Sequence, residues 1–249
     1  MSEIVRVSAV SYLNTKPYIY GLQHAVQQGL PITVSEDIPS ACADKLIHGN
    51  ADIGLLPVGA LYQVPNATII PGFGIGAIGP VQTVMLYAQV PVEEITTVVL
   101  DYQSRTSVRL VQLLFRDHFK CSPQFVAAQP GFENDINGTT AAVVIGDRTF
   151  SLNGKFPHQY DLAHEWHKHT GLGFAFAVWV TTRELSTEVL QQFASALSYG
   201  VDHIDDVIVE WQPKYPSVDL KKYLTQDIKH RFSNEIILGM QLFLQQINA

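Results

Sequence analysis

Three apolar runs rich in β-branched residues, separated by two helical patterns, open the chain and set its fold class. EIVRVSAV reads as a strand over residues 4–10. Pro17 then sits where a first helical turn tolerates it, because its missing N–H would be unpaired there anyway, and a helix continues over residues 18–26. ITVSE is a second strand. PSACADKLIHGN places Ala43, Leu46 and Ile47 on one face and stops at Gly49 and Asn50, a second helix. ADIGLLPV is a third strand, apolar enough to be buried on both faces. A βαβαβ order predicts a parallel sheet with helices packed on it. ATIIPGFGIGAIG and VQTVMLYAQV follow as strand-like runs.

VPVEE, with a proline, two adjacent acids and no helical stripe, marks a boundary. Beyond it ITTVVLD, QFVAA and AAVVIGDR read as strands, SRTSVRLVQLLFRDHF and DLAHEWHKHTG as helices, and FAFAVWVTTR as a long apolar strand. Residues 186–249 are helical, broken by QPKYPSVD and again near Phe232 and Ser233. A helical tail needs a surface to pack on, and the first unit is the expected one. The expected architecture is α/β with two lobes: residues 1–88 plus 178–249, and residues 92–174. The chain crosses between them near residues 88–93 and 175–182. Clefts at domain interfaces are the default ligand sites.

Of the 249 residues, 47% are hydrophobic and 16% charged, the balance of a globular protein with much buried surface. The formal net charge of −7 repels nucleic acid and anionic membranes, so neither is an expected partner. A small anion remains possible, since a cleft can be locally positive on an acidic protein. Cys42 and Cys121 have no metal spacing and read as reduced thiols. MSEIVRVSAVSYLN lacks the basic start and apolar run of an export signal, and no run of about 20 apolar residues could span a bilayer. The expectation is a cytoplasmic protein; its oligomeric state is not legible.

In LDYQSRTSVRLVQLL, Asp101 ends a strand and Ser104 begins a helix. Arg105, Thr106 and Ser107 fill its first turn, where unpaired N–H groups and the helix dipole favour an anion. One hydroxyl suffices for a cap, so a well-capped helix with an exposed arginine is the competing reading. SYLNTKP poses the same choice at the end of the first strand. Ser11, Asn14 or Thr15 caps the helix or meets a ligand, and Lys16 pairs with an anion or is solvated. Gly146, Asp147 and Arg148 end another strand, and Asp147 either orients a ligand or pairs with Arg148. GIGAIG matches the dinucleotide fingerprint in letters only, because a strand and not a helix follows it. Its glycines suit an inter-strand connection whose free N–H groups could meet an anion. His158, His164, His167 and His169 show no metal spacing, so no metal or cofactor is expected.

VSYLNTKP, GPVQTVML, LDYQSRTSVRLVQLL, VVIGDR and DLAHEWHKHTGLGFAFAVW occur in this order, and together they closely resemble the chorismate dehydratases of the futalosine route to menaquinone. The resemblance runs from Val7 to Trp179. Departures are Thr83 where serine is commoner, Ala163 and His164 where Gly-Glu is usual, and Gly173 where proline is usual. It implies a type II periplasmic-binding-protein-like fold and loss of water from chorismate, giving 3-[(1-carboxyvinyl)oxy]benzoate, without a cofactor. It also implies roles. Ser104, Arg105, Thr106 and Ser107 hold one substrate carboxylate, with Ser11, Gly79, Thr83 and Gly146 as further contacts. Asn14 positions the departing hydroxyl or the enolpyruvyl carboxylate, and Asp147 is the candidate protein base. Rival readings are a binding protein for a small carboxylate and the related dihydroxynaphthoate-forming enzyme.

Overall fold

The computed structural model describes residues 4–248. β1 (Val5–Val10) leads through one 3-10 turn (Leu13–Thr15) into α1 (Lys16–Gln27), then β2 (Ile32–Asp37), α2 (Pro39–Ile47), β3 (Ile53–Pro57) and β4 (Thr68–Ala77). Next come β5 (Val84–Ala88), β6 (Thr97–Leu100), α3 (Thr106–Leu114), β7 (Gln124–Ala127), β8 (Thr140–Ile145), β9 (His158–Asp161) and α4 (Leu162–Thr170). β10 (Phe174–Thr181), α5 (Thr187–Asp202), α6 (Ile204–Trp211), α7 (Leu220–Lys222), β11 (Lys229–Arg231) and α8 (Asn234–Ile247) complete it. None of the described helices is long and apolar enough to cross a membrane.

The chain divides into two compact units, residues 1–75 with 177–232, and residues 76–176 with 233–249. The first is built on a six-stranded sheet ordered β11-β4-β10-β3-β1-β2. β1 pairs in parallel with β2 and β3, as a βαβαβ order requires, while β10 lies antiparallel on β3 with Trp179 opposite Leu55. All five residues of β3 are buried, the pattern of a strand covered on both faces. α1 and α5 cross at two glycines. A Cβ on Gly21 would lie 2.0 Å from the Ala196 carbonyl oxygen, and one on Gly200 would lie 1.8 Å from that of Pro17. Main chain therefore meets main chain there, and only glycine fits. Burial pushes the Cys42 thiol up to about 12, and it donates to the carbonyls of Ser8 and Leu55.

The second unit carries a five-stranded sheet ordered β7-β6-β8-β5-β9. β6 is parallel to β7 and β8, and β5 is antiparallel to both β8 and β9. Tyr87, Val99, Phe132, Ala142 and Val144 form part of its core. α8 covers the loop before β10. A Cβ on Gly239 would lie 1.9 Å from the Gly173 carbonyl oxygen, and the rings of Trp166, Phe174 and Phe243 meet edge-on. Gly173 is crowded as well: a Cβ there would meet Ile236 at 2.8 Å, so the helix leaves little room for a side chain at this position.

This division differs from the expected boundaries. β5 belongs to the second unit because its ladder partners are β8 and β9, so the first crossing falls between Ile75 and Gly76 and not near residues 88–93. The tail is split: α5, α6 and α7 group with the first unit, α8 with the second. β9 and β11, short and polar, are strands that apolar periodicity does not announce.

Candidate functional site

In the first unit, the end of β1 is held by the Ser11 N–H, which donates to the Asp37 carbonyl at 2.9 Å. The next turn brings Asn14 down to 8% exposure. Its side-chain Oδ1 accepts from the Thr15 hydroxyl at 3.1 Å, and its main-chain carbonyl accepts from His230 Nε2 at 2.7 Å. Among the described residues the Asn14 Nδ2 group has no hydrogen-bond partner, so its two donors remain for a ligand. Tyr18, one turn into α1, accepts from the Gly74 N–H at 2.9 Å and offers its proton to the carbonyls of Gly74 and His230. The Asn14 turn is thus tied to β4 and β11 through main-chain groups.

Lys16 is not solvated, and the anion it pairs with belongs to the protein itself. Its ammonium pairs with Glu36 and lies 4.5 Å from the centre of the Trp211 ring, so it is buried and already neutralised.

His230 is buried, and that burial lowers its pKa to about 4 from an ordinary 6.5, despite the bond to Asn14. The ring is neutral, with its proton on Nε2. Because the folded-state value lies below the unfolded one, the unfolded chain takes up the proton first on acidification. Stability is then lost from about pH 6.5 down to about pH 4, by on the order of 3 kcal/mol, and no further loss comes from this group below that. Urea unfolding at pH 7 and pH 4.5 checks this. His230→Gln, which can donate but not titrate there, should lose this part of the pH slope.

In the second unit, the strand directions bring the ends of β6, β8 and β9 and the start of β5 to one end of the sheet. Ligands in open α/β sheets bind outside strand carboxyl ends. Two carboxylates, Asp101 buried and Asp161 half-buried, organise the loops there. Asp101 accepts from the N–H groups of Gln103 at 3.0 Å and Ile145 at 2.9 Å, and also pairs with the Arg148 guanidinium. Burial raises its pKa, against these amides and the arginine. Arg148 reaches Glu133 at 2.6 Å and lies over the rings of Phe132 and Tyr102. The arginine expected beside Asp147 is therefore engaged by Asp101 and Glu133, because these acids flank its planar fork.

The second carboxylate, Asp161, caps α4 by accepting from the N–H groups of Ala163 and His164. Its other oxygen accepts from those of Val81 at 2.8 Å and Gln82 at 2.6 Å. These two amides of the glycine-rich connection are thus occupied by the protein itself. Gly79 has a φ of +80° and Gln82 a φ of +64°, the latter uncommon for a residue with a side chain.

The structure brings several expected residues together. The Gly146 N–H donates to the Thr83 carbonyl at 2.9 Å, and Asp101 joins the loop of residues 101–107 to that of Ile145, Gly146, Asp147 and Arg148. Two hydroxyls are used internally. Ser104 Oγ accepts from the Ser107 N–H at 2.9 Å, which is the cap, and Thr106 Oγ1 donates to the Phe176 carbonyl at 2.9 Å, which ties α3 to β10. Arg105 and Asp147 are half-buried, and Ser107 is buried. Asn14 and Ser11 lie at the β1 end of the first unit. The sequence reading missed Asp161, Tyr18 and His230. An acid just before an apolar helix signals the cap made by Asp161; its second pair of amides, 80 and 79 residues back, leaves no sequence signal.

Comparison with known proteins bears on both the fold and the family. The chain is 24% identical over 197 residues to a chorismate dehydratase of Thermus thermophilus, covering 68% of this chain and 71% of that protein. A protein of Archaeoglobus fulgidus superposes with a TM-score of 0.78 at 12% identity, over 99% of this chain and 97% of the other. The alkanesulfonate-binding protein SsuA of Xanthomonas axonopodis pv. citri, bound to MOPS, gives 0.67 at 13% identity, over 98% and 92%. A Candida albicans protein with the generic periplasmic binding protein fold gives 0.60 at 12% identity, over 99% and 90%. The fold is therefore α/β and periplasmic-binding-protein-like. Residues 5–249 match the menaquinone biosynthesis family, and the chain belongs to it.

Proposed function

We propose that the protein is a carbon–oxygen lyase that removes water from chorismate to give 3-[(1-carboxyvinyl)oxy]benzoate. The observation that carries this reading is the Asn14 side chain, nearly buried on a main-chain-anchored turn with its amide donors unspent. The chorismate dehydratase relative supports the substrate. The reaction takes the C3 proton and the C4 hydroxyl of the ring as water, and the ring becomes aromatic. With that thermodynamic pull, the protein has mainly to orient the substrate and hold its charges. In this reading Asn14 donates to the departing hydroxyl or fixes the enolpyruvyl carboxylate. The Arg105 guanidinium and Ser107 hydroxyl grip a carboxylate. Ser104 and Thr106 shape that turn, and Ser11, Gly79, Thr83 and Gly146 are further contacts.

Purified protein mixed with chorismate should yield an aromatic product one water lighter, followed by absorbance and mass. Binding without product would instead favour a small-carboxylate binding protein, a reading that the fold likeness to SsuA keeps in play. Asp147 is the proposed protein base. Asp147→Asn should lower kcat by about 10²-fold or more, the usual worth of a positioned base. Unchanged turnover would assign the proton to the substrate's own enolpyruvyl carboxylate.

A further inference from the structure

We propose that Asp161 is a positioning residue of the second unit's strand-end loops, acting through the Val81 and Gln82 amides to set Thr83 and Gly146. This deepens the chorismate reading and rests on it for its kinetic test. The geometry is a short chain of main-chain contacts. One oxygen of the Asp161 carboxylate takes both the Val81 and Gln82 N–H groups, while the other takes the two N–H groups at the start of α4. A helix cap needs only the latter pair. The former pair falls where Gln82 adopts a left-handed φ of +64°, a conformation in which a Cβ crowds the following carbonyl oxygen. Such strain persists where surrounding contacts impose it, and it concentrates at functional sites. The next residue, Thr83, is buried, and its carbonyl accepts the Gly146 N–H one residue before Asp147. Moving the Gln82 peptide therefore moves the Gly146 turn. Burial raises the Asp161 pKa, and the four N–H donors oppose this.

Two substitutions separate this role from a cap. Asp161→Asn keeps one carbonyl oxygen but turns an amide NH2 toward one pair of N–H groups, and the helix start is the stronger competitor. Gln82→Pro removes the N–H and the left-handed φ and leaves the α4 cap intact. Both should lower kcat at saturating chorismate by about 10²-fold, the usual cost of a misplaced reacting group. The double variant should lose no more than either single one. If Gln82→Pro keeps its kcat, or if the losses multiply, Asp161 is only a cap. A readout without substrate guards against a wrong substrate. Gln82→Gly should raise the urea midpoint in the parent and fail to raise it in Asp161→Asn, because the carboxylate imposes the strain. Equal shifts in the two backgrounds would overturn the coupling even if chorismate proves not to be the substrate. Absence of product from the parent protein would overturn the substrate reading alone.

Discussion

Asn14→Ala is expected to fold like the parent and to lose about 10²–10³-fold in kcat on chorismate, the measured worth of one preorganised side-chain donor. Folding should survive because the turn is anchored by main chain: the Asn14 carbonyl remains for His230, and Thr15 loses only one acceptor. The stability change should stay within about 1 kcal/mol in urea unfolding. What disappears is the Nδ2 pair of donors. Asn14→Asp removes the same donors and adds a negative charge, which an anionic substrate feels from the Michaelis complex onward. It should therefore raise KM as well as lower kcat, whereas alanine acts mainly on kcat. Near-parental turnover in the alanine variant would remove Asn14 from the mechanism.

Gly200→Ala is expected to be the most destabilising single methyl in the first unit, by about 3 kcal/mol, the upper end of overpacking costs. The new Cβ would sit 1.8 Å from the Pro17 carbonyl oxygen and 2.9 Å from the Gly21 nitrogen. These obstacles are main chain and have no rotamer to change. α5 must back away from α1, whose first residues continue the Asn14 turn, so turnover should fall along with stability. Ser195→Ala, on an exposed position of α5, should fall within about 0.5 kcal/mol of the parent. Paired urea curves for the two variants check this, and equal midpoints would show that the crossing has slack.

The opening of the fold was legible because β1, β2 and β3 alternate with helices whose apolar stripes match the helical period. β9 and β11 were not, since HQYD and KHR are edge strands whose identity comes from ladder partners elsewhere in the chain. The helical tail was expected to pack on the first unit, and the close approach of Gly239 to Gly173 instead puts its last helix in the second. At the site, the clustered hydroxyls of residues 104–107 were visible, but a hydroxyl does not announce its partner. Ser104 and Thr106 spend theirs on the protein. Asp101, Arg148 and Asp161 were visible as letters, and their network of long-range bonds was not.

The interleaved division of the chain has a consequence for synthesis. A nascent chain that has emerged as far as Phe176 already holds every strand of the second sheet, yet Trp166 and Phe174 still await the ring of Phe243. The first unit, meanwhile, needs residues up to 232 before its edge strand is in place. The second unit, whose sheet is complete first, is therefore the last to finish, because α8 must follow before the aromatic cluster beside Gly173 can close.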